Sequence, residues 1–508
     1  MSEKIQVVAK LNKSGRVIRF EYQTGLPFFA CLSEKLVQEG VAFSLCGGKG
    51  ICGRCRVRFI SGAPLPTNSE RQFLSAEELR MGIRLACLTK PMKDCEIEVL
   101  FEQEATVVTG FGIDDNAMRS DRCDSIKKKF CGTDMSEAKY VITADIGTTT
   151  IAMALVDCVS GNVVKTYSCL NPQSVYGSDV IARITAAGEV GADKLQKAVV
   201  GALIEGGRAL GEAYQSVLSC KNIYVAANTV MSHFLAGSDA KGLGMAPFEP
   251  EFLDGKEVEC NGYKFILVPG VSAFVGGDIV AGMISCDLIA TCEEVCDIAR
   301  SRKGVLFLDL GTNGEMALCD GERIYCTSAA AGPAFEGRDS SKRGSHRVKI
   351  LADLLMTGRM DETGFLNEGF DKEEQSGVKG EDHGLSQQEI RDLQMAKAAV
   401  RTGIDVLLQK AKMLVTDIKQ LYLSGGFGYY IDVADAIAIG LLPNEFAGIT
   451  ISVGNSSLKG ASVYAKLFKL GKTEDLEQVI RHKCIPVNLA EEEYFIENYI
   501  GQMNFPVK

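Results

Sequence analysis

Residues 4–11 and 16–22 alternate apolar and polar side chains on either side of Asn12-Lys13-Ser14-Gly15. A period of two around a polar turn closed by glycine predicts a β-hairpin. From 28 to 39 the apolar positions take a helical spacing, which Gly40 ends. A strand over 56–60, a short helix near 75–81 and a last strand over 96–100 complete a small unit. Residues 104–138 then lose all period; they are rich in charge, carry glycines at 110, 112 and 132, and include Lys127-Lys128-Lys129. Such a stretch predicts a connector with a solvated basic face, long enough to let the first unit move relative to the rest of the chain.

Beyond the connector the pattern repeats itself. An apolar run over 140–144 enters Asp145-Ile146-Gly147-Thr148-Thr149-Thr150 and leaves as IAMALVD; a second over 304–308 enters Asp309-Leu310-Gly311-Thr312-Asn313-Gly314-Glu315 and leaves as MALCD. A later echo pairs NIYVAAN (222–228) with QLYLSGG (420–426), each a strand pattern running through small residues into a helical one. Two copies of one strand–turn–strand unit, each followed by a further strand and helix, predict an internal duplication folded as two α/β lobes around a cleft. The chain thus divides into a unit at 1–103, a linker at 104–138, a first lobe at 139–303 and a second at 304–508, as its length of 508 residues demands.

Charge and composition narrow the function by exclusion. Lys and Arg number 55 against 65 Asp and Glu, a net charge of −10, and no basic run marks a nucleic-acid face. The start, MSEKIQVVAK, has charges where a signal peptide needs an apolar core, and no run of 18 apolar residues occurs, so a cytoplasmic protein without a membrane partner is expected. The 18 cysteines are too dilute for a disulfide scaffold. Most read as buried thiols, tolerable in anaerobic life; Cys292 and Cys296, four apart on a helical pattern, are weak metal candidates.

Four cysteines stand apart. Cys46, Cys52, Cys55 and Cys87 follow C-x5-C-x2-C-x31-C, and four thiolates are what a two-iron, two-sulfur cluster needs as metal ligands. Glycines at 47, 48, 50 and 53 let backbone N–H groups approach the inorganic sulfides. A zinc site is the competing reading, but zinc sites usually present two short cysteine pairs and only one exists here. The duplicated turns carry different chemistry. In each, glycine permits close backbone approach, threonine hydroxyls and N–H groups can bond phosphate oxygens, and the aspartate can hold a hydrated magnesium ion. Two such turns across a cleft would enclose the polyphosphate of a nucleotide, and Gly425-Gly426-Phe427-Gly428 would let adenosine lie against backbone.

These turns resemble the two phosphate motifs and the adenosine motif of the acetate kinase, sugar kinase, Hsp70 and actin (ASKHA) superfamily. The N-terminal unit resembles β-grasp 2Fe-2S ferredoxins, with the x5 gap of the adrenodoxin type. Their fusion, with NPQSVYGSDVIARI (171–184), ANTVMSHFLAG (227–237), PGVSAFVGGDIVAG (269–282) and AAGPAFEG (330–337), resembles the reductive activators of corrinoid enzymes. The resemblance implies ATP-dependent one-electron reduction of a corrinoid protein of a methyltransferase system, Co(II) to Co(I). It implies that Cys46, Cys52, Cys55 and Cys87 ligate iron and that Asp145 and Asp309 hold the Mg2+ shell. Gly147, Thr148, Thr149, Gly311, Thr312, Asn313 and Gly314 would cradle phosphates, Gly425 and Gly426 would flank adenosine, and Glu315 or an aspartate would position the attacking water. Asp278 reads equally as a helix cap or a nucleotide contact, and His233 and His346 as structural. No flavin fingerprint or second cluster motif is visible, so an external low-potential electron donor is implied; a homodimer is left open. The short linker implies that the extra middle domain of some family members is absent. Three alternatives stay open: a small-molecule kinase with a redox-sensing ferredoxin, an activator of a radical dehydratase, and an electron carrier that binds nucleotide only for assembly.

Overall fold

The expected hairpin forms as β1 (Lys4–Leu11) and β2 (Val17–Gln23), whose alternate side chains are buried. β3 (Arg56–Ser61), β4 (Ile83–Leu85) and β5 (Cys95–Val99) complete a sheet of order β2-β1-β5-β3-β4, in which only β1 and β5 run parallel. Helix α1 (Phe28–Gln38) buries Phe28, Leu32 and Leu36 in one core with Val7, Leu11 and Ile97 of the sheet. The computed structural model describes residues 3–12, 14–38, 55–100, 140–158, 161–177, 179–211, 221–289, 304–334, 344–367 and 385–506. Cys46, Cys52, the 104–138 linker, Cys292, Cys296 and residues 335–337 lie outside them.

The duplication read from the sequence is present in three dimensions. The first lobe holds β6 (Tyr140–Ile146), β7 (Thr150–Asp157), β8 (Val163–Leu170), β9 (Asn222–Ala227), β10 (Glu257–Cys260) and β11 (Tyr263–Leu267), in the order β10-β11-β9-β6-β7-β8. The second holds β12 (Val305–Leu310), β13 (Gly314–Cys319), β14 (Ile324–Ala329), β15 (Gln420–Ser424), β16 (Thr450–Ser452) and β17 (Cys484–Pro486), in the order β16-β15-β12-β13-β14-β17. In both, the first three strands form an antiparallel meander and a later strand, β9 or β15, pairs parallel with the first. β17 has no counterpart among the described strands of the first lobe and extends the second alongside β14.

The central strands are nearly continuous apolar runs because helices cover both of their faces. Outside the first sheet lie α2 (Val180–Val190), α3 (Ala192–Gly211) and α4 (Thr229–Ala236); α5 (Gly277–Ser285) lies on its inner face. Outside the second lie α6 (Gly344–Met356) and α7 (Gln387–Ala411), while α8 (Ser456–Lys469) returns to the inner side, followed by α9 (Thr473–Lys483). α5 and α8 are therefore sandwiched between the sheets, sharing one core with Ala154 and Tyr224 of the first and Phe307 and Ala317 of the second. They cross in backbone contact: a Cβ at Gly460 would sit 1.8 Å from the Ala281 carbonyl oxygen. Farther out, Glu477 accepts a hydrogen bond from Gly255 N–H (3.0 Å) and Arg481 pairs with Asp254 (2.7 Å), tying α9 to the first lobe. No helix of the described residues is long and apolar enough to cross a membrane.

Candidate functional site

The antiparallel pairing of Arg56 with Leu85 brings the start of β3 beside the end of β4, and so Cys55 beside Cys87. Their Sγ atoms lie 3.1 Å apart without a disulfide, Cys55 buried and Cys87 half-buried. Ala86 N–H donates to the Cys55 carbonyl (2.8 Å), and the buried Glu70 carboxylate accepts from Leu85 N–H (2.8 Å) and Thr67 N–H (2.8 Å), so the backbone beside both cysteines is pinned. Two thiol ligands converging on one point fit half of a four-cysteine cluster site. Cys95 differs: burial pushes its thiol up to about 11 and keeps it a protonated core group.

Asp145 and Asp309 end matching strands, each between a hairpin partner and a parallel strand, and the two lobes turn them toward one cleft. Asp278, in the first turn of α5, and Glu315, in β13, face the same space. All four are deep yet half-open to solvent through the cleft. Burial pushes the carboxyls of Asp145 and Asp278 up to about 7 and that of Asp309 up to about 6. Glu315 is raised well above its usual range, by burial and then by Asp278 and Asp309. Like charge adds to burial at the other two as well: Asp309 acts on Asp145, and Asp145 and Asp309 act on Asp278. Carboxyls that crowd in this way repel one another when ionised, and a cation could relieve that repulsion. Among the described residues no group of three or more His, Cys, Asp or Glu side chains is placed to hold a metal ion by itself.

Sequence reasoning misses the start of α8. Asn455 caps that helix, accepting from Leu458 N–H (2.6 Å), and reaches across the cleft to donate to Asp145 Oδ2 (2.7 Å). Ser457 Oγ donates to the Asp278 carbonyl (3.1 Å), and Ser456 Oγ lies 2.6 Å from Ser424 Oγ, whose hydroxyl bonds the Asp309 carboxylate. The only trace in the sequence is the Asn-Ser-Ser cap signature, which predicts a helix start and nothing about a partner 310 residues away.

Other expected residues divide. Gly147, Thr148, Thr149, Gly311, Thr312 and Asn313 line the half-exposed turns. Gly314 turns the opposite way, buried at the start of β13, where a Cβ would lie 2.7 Å from Val400; packing rather than phosphate explains it. Gly425 has φ +91°, and a Cβ there would meet Leu310 O at 2.4 Å and Asp309 Oδ1 at 2.6 Å, so it seats the Asp309 turn. Gly426 opens onto free space. Asp278 is not the cap of α5: Gly276 holds that position, and Asp278 Oδ1 accepts from Ile279 N–H (2.8 Å). His233 is buried, its Nδ1 2.7 Å from Thr229 O and its Nε2 accepting from Glu251 N–H (3.0 Å), stacked on Phe252; His346 is exposed.

Three family models match the chain. A 2Fe-2S iron-sulfur cluster binding domain covers residues 31–92, the RACo middle region 140–291, and the C-terminal domain of RACo, the ASKHA domain, 303–346 and 343–508. The chain belongs to the RACo family. The middle region expected to be missing is thus present, as the segment read as the first lobe. The corrinoid activation enzyme RamQ of Eubacterium limosum is 29% identical over 433 residues, 72% of this chain and 70% of that one. A Co(II) methylated amine-specific corrinoid protein reductase of Methanosarcina barkeri is 22% identical over 291 residues, 48% of this chain and 52% of that one. The solved structure of a reductive activator for corrinoid,iron-sulfur protein has the same fold, with a TM-score of 0.60 at 24% identity over 99% of this chain and 98% of that one. In RACo terms the acid cleft is a junction: Asp145 and Asp278 come from the middle region, Asp309, Glu315 and Asn455 from the ASKHA domain.

Proposed function

We propose that this chain hydrolyses Mg-ATP in the acid-lined cleft and uses the resulting change of state to drive one-electron reduction of a corrinoid protein of a methyltransferase system, from Co(II) to Co(I). The observation that carries this reading is the convergence of two duplicated aspartate turns on one cleft, in a chain whose first domain brings two thiols to 3.1 Å. The relatives named as corrinoid activation enzyme and corrinoid protein reductase support the choice of partner. Cys46, Cys52, Cys55 and Cys87 would hold a two-iron, two-sulfur cluster, which when bound supplies a one-electron relay. Asp145 and Asp309 would hold hydrated Mg2+, and the turns at 147–149 and 311–313 the phosphates. Glu315 or Asp278, with its raised carboxyl, would accept the proton of the attacking water as the terminal phosphate leaves ADP. Gly426 would lie beside adenosine.

A nucleotide is needed because the electron goes uphill. An acceptor about 100 mV below the cluster costs about 2.3 kcal/mol for one electron. Coupling free energies between linked sites are typically about 1–3 kcal/mol, the size required. The reductant would be an external low-potential donor. The test is an anaerobic visible spectrum of a Co(II) corrinoid protein mixed with this protein, a reductant and Mg-ATP. The Co(I) band should appear only with all components; its formation at the same rate and yield without ATP would refute the reading.

A further inference from the structure

The 147–149 turn is gripped from beneath by two buried side chains. Asn171 Nδ2 donates to the Gly147 carbonyl (2.8 Å), and Asn171 N–H donates to the Thr149 carbonyl (2.9 Å). Arg183, fully buried on α2, donates from Nη2 to the Thr148 carbonyl and from Nε to the Gly177 carbonyl (3.0 Å). Its Nη1 meets Gln173 Oε1 (3.5 Å) and Met231 Sδ (3.2 Å). In a trans peptide the N–H points opposite to the preceding C=O. Pinning the carbonyls of Gly147 and Thr148 into the protein therefore turns the N–H groups of Thr148 and Thr149 outward, on the half-exposed side of the turn. Neither N–H has an acceptor among the described residues, whereas Gly147 N–H is already used by the Thr150 carbonyl (2.9 Å). Successive outward N–H groups make an anion-binding concavity.

The charge of Arg183 asks for the same explanation. All four of its hydrogen-bond acceptors are neutral. Burial outweighs the support of Asp179, the carboxylate that acts on it, and pulls the guanidinium down to about 9. A buried cation bonded only to neutral groups is costly to fold, and an anion on the far side of the turn would offset that cost.

We propose that Arg183 and Asn171 are positioning residues that hold the 147–149 turn so that the N–H groups of Thr148 and Thr149 bind nucleotide phosphate. The inference rests on the reading of the cleft as an ATP site. It adds that phosphate affinity, separately from nucleoside affinity, is set by two side chains that touch no ligand.

The test is calorimetric titration of the full chain with Mg-ATP and, by competition, with adenosine. Arg183→Met and Asn171→Ser should each weaken Mg-ATP binding by about tenfold to a hundredfold, the range for one hydrogen bond to a charged group, and leave adenosine binding within about twofold of wild type. Arg183→Lys should remain at least about tenfold weak, because an ammonium cannot serve the Thr148 and Gly177 carbonyls with a planar fork. Asn171→Ser keeps the buried cation in place and so serves if Arg183→Met does not fold. Equal losses for ATP and adenosine, or full affinity in Arg183→Lys, would overturn the positioning role. Failure of the wild type to bind Mg-ATP would overturn the ATP-site reading itself, a separate outcome.

Discussion

Asp145→Asn should make the nucleotide-free protein more stable while abolishing its turnover. The substitution keeps the shape of the side chain and leaves an oxygen to accept the 2.7 Å bond from Asn455. What it removes is a carboxyl whose pKa is raised from 3.8 to about 7, first by burial and then by Asp309. Three units at about 1.36 kcal/mol each would give about 4 kcal/mol; because water reaches this half-buried group through the cleft, about half of that, or about 2 kcal/mol, is expected. The sign depends on pH. A carboxyl raised on folding is penalised once the unfolded chain ionises, so the cost begins near pH 4, grows to about pH 7 and is constant above. Thermal unfolding without nucleotide should therefore show the variant melting a few degrees above wild type at pH 8 and by a clearly smaller margin at pH 5. Mg-dependent ATP hydrolysis should fall by about a hundredfold or more, as for loss of a group that fixes transition-state charge. A variant less stable than wild type at pH 8, or one whose gain is the same at pH 5 and pH 8, would refute this account of the acid cleft.

Other substitutions separate the parts. Cys55→Ser should abolish bound iron and the visible spectrum, checked by metal analysis, while Mg-ATP binding persists because the cleft lies in other domains. Gly425→Ala should destabilise by about 2 kcal/mol or more, since its φ of +91° and its contact with Asp309 both forbid a side chain; denaturant titration reads this. Gly426→Ala, with open space around it, should change stability by less than about 0.5 kcal/mol, yet raise the KM for ATP. Gly460→Ala should cost about 3 kcal/mol by forcing α5 and α8 apart, measured by the same titration.

What could be read in the sequence was local or repeated. The hairpin of β1 and β2 comes from a period of two, and the lobes from a strand–turn–strand unit that occurs twice. The four-cysteine spacing survives in the sequence because Cys55 and Cys87 sit on adjacent strand ends, so their meeting needs only one ladder. Asn455 and Asp145 meet only because α8 leaves its own lobe and packs against the other sheet, which no local period records. Gly311 and Gly314 belong to one motif, yet the pairing of Leu310 with Gly314 buries the second and leaves the first in the turn. The middle region escapes a reading that looks for a long insertion in the linker, because the region is the first lobe itself.

The backbone contact between Gly460 and Ala281 has a mechanical consequence. Helices separated by side chains can slide, whereas two backbones in contact resist sliding and turn more readily about the point where they touch. A motion of the lobes with nucleotide would then be a scissoring about that pivot. Its short arm carries Asn455 and Ser457, a few residues away on α8, against Asp145 and Asp278. Its long arm runs out to α9, where Glu477 and Arg481 grip the 254–255 loop. A small shift at the phosphates would thus become a larger one at the far rim, and the Arg481–Asp254 pair is the place to look for it.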